Sequence, residues 1–89
     1  MPAHRLELAA SAERTLARLP ESAIAAIVEF MTGPLLENPQ RVGKALKLDL
    51  EGYRAARRGP YRIVYRVDET ALAVRVVRID HRADVYRPC

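Results

Sequence analysis

The sequence predicts an α+β fold, an N-terminal strand and a helical hairpin packed on a small antiparallel β-sheet. Two observations carry this. The first half shows apolar residues at helical spacing, and the second half switches to period two after Gly52. Short turn signals then separate the period-two segments, which implies a meander. The expected order is β-α-α-β-β-β in a single domain spanning residues 1–89.

The elements follow in turn. From His4 to Ala9, Leu6 and Leu8 alternate with Arg5 and Glu7, which reads as a short strand. Ser11 is a good N-cap, and Glu13 falls in the first turn, where the helix dipole favours an acid. Ala12, Leu16 and Leu19 keep helical spacing until Pro20 interrupts. Proline suits the first turn of a second helix, whose inward face reads Ile24, Ile27, Val28, Met31 and Leu35. Gly33-Pro34 should end or kink it. Asn38 to Gly43 reads as a loop, and Lys44 to Leu50 fits no single pattern. Beyond Gly52, Tyr53, Ala55 and Arg57 alternate with Arg54 and Ala56. Arg58-Gly59-Pro60 makes a turn. Tyr61, Ile63, Tyr65 and Val67 then face one side of a strand, and Arg62, Val64 and Arg66 the other. Asp68-Glu69-Thr70 turns the chain into a β-branched strand from Ala71 to Ile79.

Composition narrows the function. A chain of 89 residues buries a small core, so chemistry belongs on an open surface or in a shallow groove. A macromolecular substrate suits such a surface better than a small metabolite. The lone cysteine, Cys89, permits no internal disulfide and no cysteine metal site. Ala23 to Phe30 is the most apolar stretch, but it is short and holds Glu29, so it reads as neither a leader nor a membrane span. The chain therefore reads as cytoplasmic.

Charge is divided unevenly. Residues 1–40 hold three Arg and five Glu, a net of −2, whereas residues 41–89 hold twelve Lys or Arg and six acids, a net of +6. A one-sided basic field attracts polyanions. Against this stands a solvated face rich in arginine for genomic reasons, since Arg outnumbers Lys thirteen to two. The run from Tyr53 to Arg66 favours the polyanion. It holds Arg54, Arg57, Arg58, Arg62 and Arg66 with Tyr53, Tyr61 and Tyr65, and no acid. Arginine grips phosphate bidentately, and tyrosine can stack on bases. Arg62 and Arg66 share a face about 13 Å apart at roughly 3.3 Å per residue, a span of about two phosphates. Arg54 is expected beside them on the neighbouring strand. The nucleic-acid candidates are thus Arg54, Arg57, Arg58 and Arg66, with Lys44 and Lys47 before them. A second constellation, His81-Arg82-Ala83-Asp84-Val85-Tyr86, offers a histidine that titrates near neutrality beside an arginine and a tyrosine.

These two stretches, Gly59 to Val67 and His81 to Tyr86, resemble the paired signature of RelE/ParE-type toxins. Leu19-Pro20, Asn38 to Lys44 and Leu50 to Arg54 fit as well, so the resemblance covers nearly the whole chain. It implies the toxin of a bacterial type II toxin–antitoxin pair. In the RelE branch such toxins cleave messenger RNA in the ribosomal decoding (30S A) site, whereas the ParE branch poisons DNA gyrase on the same fold. A cognate antitoxin neutralises either kind, and operator DNA is bound by the toxin–antitoxin complex. No cofactor or metal is implied. Carried over by motif, Arg62 contacts the phosphate in the transition state, and Arg82 and Tyr86 match the C-terminal arginine and tyrosine of the active ribonucleases. The best-known ribonucleases of the family carry two lysines on the second strand, where Arg54 and Ala56 stand here. Arginine is a poor base, so His81 becomes the candidate for proton transfer. Arg62, His81, Arg82 and Tyr86 together favour the nuclease over the gyrase poison. A passive RNA-binding module is the third class.

Overall fold

The computed structural model describes residues 4–47 and 50–81. In chain order these form β1 (Arg5–Leu8), α1 (Ala10–Ala17), α2 (Glu21–Thr32), a single turn α3 (Pro34–Glu37), β2 (Lys44–Ala45), β3 (Arg54–Arg58), β4 (Tyr61–Asp68) and β5 (Ala73–His81). The strands make one sheet in the order β1-β5-β4-β3-β2. Neighbours from β2 to β5 are antiparallel, and β1 adds a parallel edge beside β5.

The helices cover one face of this sheet. Ala12, Ile27, Met31, Leu35 and Leu36 meet Ala56, Ile63, Tyr65, Val74, Val76 and Ile79 in the core. The expected alternation along β4 holds, with Ile63 and Tyr65 buried beneath the helices. Val64 is also buried, at 1% exposure, although its parity directs it to the other face. Neighbouring side chains on that face therefore cover an apolar floor.

Several local expectations change. Ala9, not Ser11, precedes the first helical residue, and no side chain caps α1. Ser11 instead donates its hydroxyl to the Val77 carbonyl at 2.7 Å. Val77 is the extra residue of a β-bulge, because Val64 faces Arg78 while Tyr65 faces Val76. A serine that satisfies a bulge carbonyl is withdrawn from capping. Val28 is 37% exposed and lies outside the inward stripe of α2. Gly33 and Pro34 separate α2 from α3, as a residue without Cβ and one without an amide hydrogen should. The β4–β5 turn ends two residues later than the sequence implies. Asp68 Oδ1 accepts from the amides of Thr70 and Ala71, both at 3.0 Å, and Leu72 takes φ 53° before β5 begins at Ala73. No described helix is long and apolar enough to cross a membrane.

Candidate nucleic-acid interface

The face away from the helices carries the basic residues, and sheet register decides which. Arg57 of β3 faces Arg62 of β4, and Arg62 faces Asp80 of β5. One rung along, Ala55 faces Val64, and Val64 faces Arg78. Arg66 faces Arg75 across the same two strands. Lys44 of β2 pairs with Ala55 and so joins this face.

A groove of about 540 Å³ runs between β2 and β4, with Lys44, Arg57 and Arg62 in its lining. Ala55 leaves the room for it, since a methyl group is all that fills the space between Lys44 and Val64. At the far end of the face, the Arg66 guanidinium lies 5.9 Å from the centre of the Tyr53 ring. Glu7 relieves Arg75 at 3.5 Å, so the basic character is weakest at the β1 edge. Like charges directly opposite on neighbouring strands are destabilising, and this face carries two such pairs, Arg57–Arg62 and Arg66–Arg75.

Three residues singled out from the sequence lie elsewhere. Arg54 faces Tyr65, on the helix side of the sheet. Its Nη2 donates to the carbonyls of Gln40 at 2.6 Å and Gly43 at 2.9 Å, clamping the loop before β2. The expectation that it joins Arg62 and Arg66 is wrong by one position of strand parity; Tyr53, Ala55 and Arg57 have the right one. Arg58 faces Tyr61 at the hairpin end and also falls on the helix side. It lines a second, more apolar groove of about 450 Å³ between α2 and the β3–β4 hairpin. Its lining offers little acid–base or phosphate chemistry beyond Arg58 and Tyr61.

His81 is the third. It faces Tyr61, and the two rings meet edge to face at 5.2 Å and 81°. Tyr61 packs on the core, so His81 belongs to the helix side while Arg62 belongs to the other. The sequence groups Arg62 and His81 as one catalytic set; in this register their side chains leave opposite faces of the sheet, because Arg62 is paired with Asp80, the strand neighbour of His81. Arg82 and Tyr86 lie outside the described residues. Lys47 is exposed just beyond β2.

Sequence reasoning passed over Asp80 and Arg78. Asp80 Oδ2 lies 3.2 Å from Arg78 Nη2 and 3.7 Å from Arg62 Nη2, so the arginine-rich strand gains an acid from its neighbour. Their i, i+2 spacing in β5 was a usable signal, but the Val77 bulge breaks simple alternation. Tyr65, read as a possible stacking residue, is fully buried, and its hydroxyl donates to the Pro39 carbonyl. Burial pushes its phenol above the ordinary value of 10.0, against the pull of the nearby Arg54.

Comparison with known proteins matches this fold and sequence to one family. Residues 6–86 match the ParE toxin of type II toxin–antitoxin systems, parDE. Toxin RelE of Mycobacterium tuberculosis is 49% identical over 88 residues, covering 97% of this chain and 91% of that protein. Toxin RelG of the same organism is 49% identical over 77 residues, covering 86% of this chain and 88% of its own length. Among solved structures, the RelBE2 toxin–antitoxin complex of M. tuberculosis holds a chain 43% identical to this one, with a TM-score of 0.87 over 92% of this chain and 100% of that one. With the family match spanning residues 6–86 and relatives near half identity over most of their length, the chain belongs to the RelE/ParE superfamily of type II toxin–antitoxin toxins.

Proposed function

We infer that this toxin is a ribosome-dependent endoribonuclease that cuts messenger RNA without a metal. The observation that carries the reading is the Arg57–Arg62 pair, two guanidinium groups opposed across β3 and β4 in a groove that Lys44 also lines. Such an arrangement costs stability in the free protein and gains from a polyanion. In the proposed step the 2′-hydroxyl of one nucleotide gives up its proton as its oxygen bonds to the adjacent phosphorus, and the bond to the 5′-oxygen breaks as that oxygen takes up a proton. A 2′,3′-cyclic phosphate and a 5′-hydroxyl result. Arg62 would meet the charge that builds on the phosphorane. Arg57, Lys44, Lys47 and Arg66 would track the backbone. Arg82 and Tyr86, by resemblance, would complete the site. A cognate antitoxin would cover this surface, as RelB-type antitoxins are seen with the related toxins, and the complex would bind operator DNA. The site of action would be cytoplasmic.

Gyrase poisoning is the second reading. The name of the matched family favours it, as does β3 itself, which holds no lysine and has Arg54 and Ala56 where the resembled ribonucleases carry two. Single-turnover incubation with programmed ribosomes separates the two. Cut message with a cyclic phosphate end, lost in Arg62→Ala, is the expected result. Intact message together with trapped gyrase–DNA adducts in cells would overturn it.

A further inference from the structure

Asp80 stands opposite Arg62 on the open face, and Arg78 stands two residues earlier on the same strand. Asp80 Oδ1 accepts from Arg78 Nη2 at 3.3 Å, while Oδ2 lies between Arg78 Nη2 at 3.2 Å and Arg62 Nη2 at 3.7 Å. The carboxylate is 15% exposed, against 31% for Arg62 and 56% for Arg78. Two guanidinium groups sharing one carboxylate carry a net charge of one, which a single phosphodiester would neutralise. Arg62 Nε and Asp80 Oδ2 are both buried without a hydrogen-bond partner among the described residues. An open buried donor is costly, and this one belongs to the arginine that lines the groove. Arg62 is thus held by charge at Nη2, with its side chain still partly exposed in the groove. An acid beside a polyanion site weakens binding. Its presence here has to be explained by orientation and not by affinity.

We propose that Asp80 is a positioning residue, holding Arg62 and Arg78 together as a two-guanidinium clamp for one phosphodiester. The inference rests on the reading of Arg62 as the phosphate contact, and it adds Arg78 as a second one. Bidentate donors fixed in advance are worth most where charge develops, so removing the template should slow the step more than it weakens binding.

The test uses the full chain, labelled with ¹⁵N, and a short RNA made uncleavable by a 2′-deoxy nucleotide at the cut. The Arg62 Nε–H resonance should be sharp in the wild type and shift on adding the RNA. In Asp80→Asn it should broaden. On programmed ribosomes Asp80→Asn should lower kcat about 10- to 100-fold with KM unchanged or lower. Asp80→Glu should recover part of that loss, and adding Asp80→Asn to Arg62→Ala should slow cleavage no further. Should Asp80→Asn fail to fold, Asp80→Glu and Arg78→Gln carry the same comparison. A kcat within threefold of wild type, losses that multiply in the double variant, or an unchanged Nε resonance would each overturn the clamp. A wild-type chain with an ordered, RNA-responsive Arg62 that cuts nothing would leave the clamp standing and remove the nuclease reading instead.

Discussion

Arg62 and His81 come from neighbouring strand ends yet lie on opposite faces of the sheet, because Arg62 is paired with Asp80, the residue before His81. Their substitutions should therefore behave differently. Arg62→Ala should lower the cleavage rate 10²–10³-fold, roughly 3–4 kcal/mol of transition-state stabilisation, in a folded protein. His81→Gln should leave cleavage within about tenfold and instead cost ~0.5–1.5 kcal/mol of stability through its lost edge contact with Tyr61. Rates on programmed ribosomes beside thermal melts would check this, and a His81→Gln loss larger than that of Arg62→Ala would reverse the assignment.

Arg54 should prove structural. Its guanidinium ties two loop carbonyls, those of Gln40 and Gly43. Arg54→Ala should destabilise the fold by about 1.5–3 kcal/mol, the range for hydrogen bonds from a charged donor. RNA affinity per folded molecule should change little. Urea unfolding and a binding titration, run on the same sample, distinguish this from a direct RNA contact, which would lower affinity at unchanged stability.

Tyr65 gives the molecule an alkaline limit. Its phenol titrates higher in the folded protein than the ordinary 10.0, mainly through burial. The folded state thus holds its proton more tightly than the unfolded one. The stability this contributes is complete below about pH 10 and is lost as pH rises through the raised value. Tyr65→Phe should be less stable at neutral pH by about 0.5–1.5 kcal/mol, through the lost bond to Pro39. Its unfolding free energy should also fall less steeply as the pH rises above the ordinary 10.0. An identical alkaline slope in both proteins would contradict the assignment.

Gly43 and Gly52 should respond differently to alanine. A methyl group at Gly43 would overlap the Tyr65 hydroxyl and sit 2.9 Å from the Ala55 carbonyl oxygen. Overpacking there should cost about 1–3 kcal/mol. Gly52 has φ +93° and nothing within 4 Å of an added Cβ, so Gly52→Ala should cost only backbone strain, about 1–2 kcal/mol. A combined Gly43→Ala/Tyr65→Phe variant should recover part of the Gly43 loss, because the hydroxyl that blocks the methyl is gone. Chemical denaturation of the four proteins tests this, and a double variant no better than Gly43→Ala would place the strain on the Ala55 carbonyl.

By itself the sequence determined the order β-α-α-β-β-β, to which the fold adds the single turn α3 and the short strand β2, and the alternation of Arg62 and Arg66 against Ile63 and Tyr65 along β4. These are local properties: periods of 3.6 and 2, a proline that cannot continue a helix, a glycine that can turn a hairpin. The paired motifs around Arg62 and His81 likewise point to the family from the sequence alone. The tertiary structure alone decided which strands lie side by side and in what register. Register moved Arg54 to the helix side, put Arg57 opposite Arg62, and set Asp80 between Arg62 and Arg78. The Val77 bulge, whose carbonyl Ser11 takes up, kept Asp80 on the face of Arg62 while Val76 still reached the core. A single-residue slip inverts the face of every side chain on a strand, and nothing within one strand's own sequence records its neighbour's register.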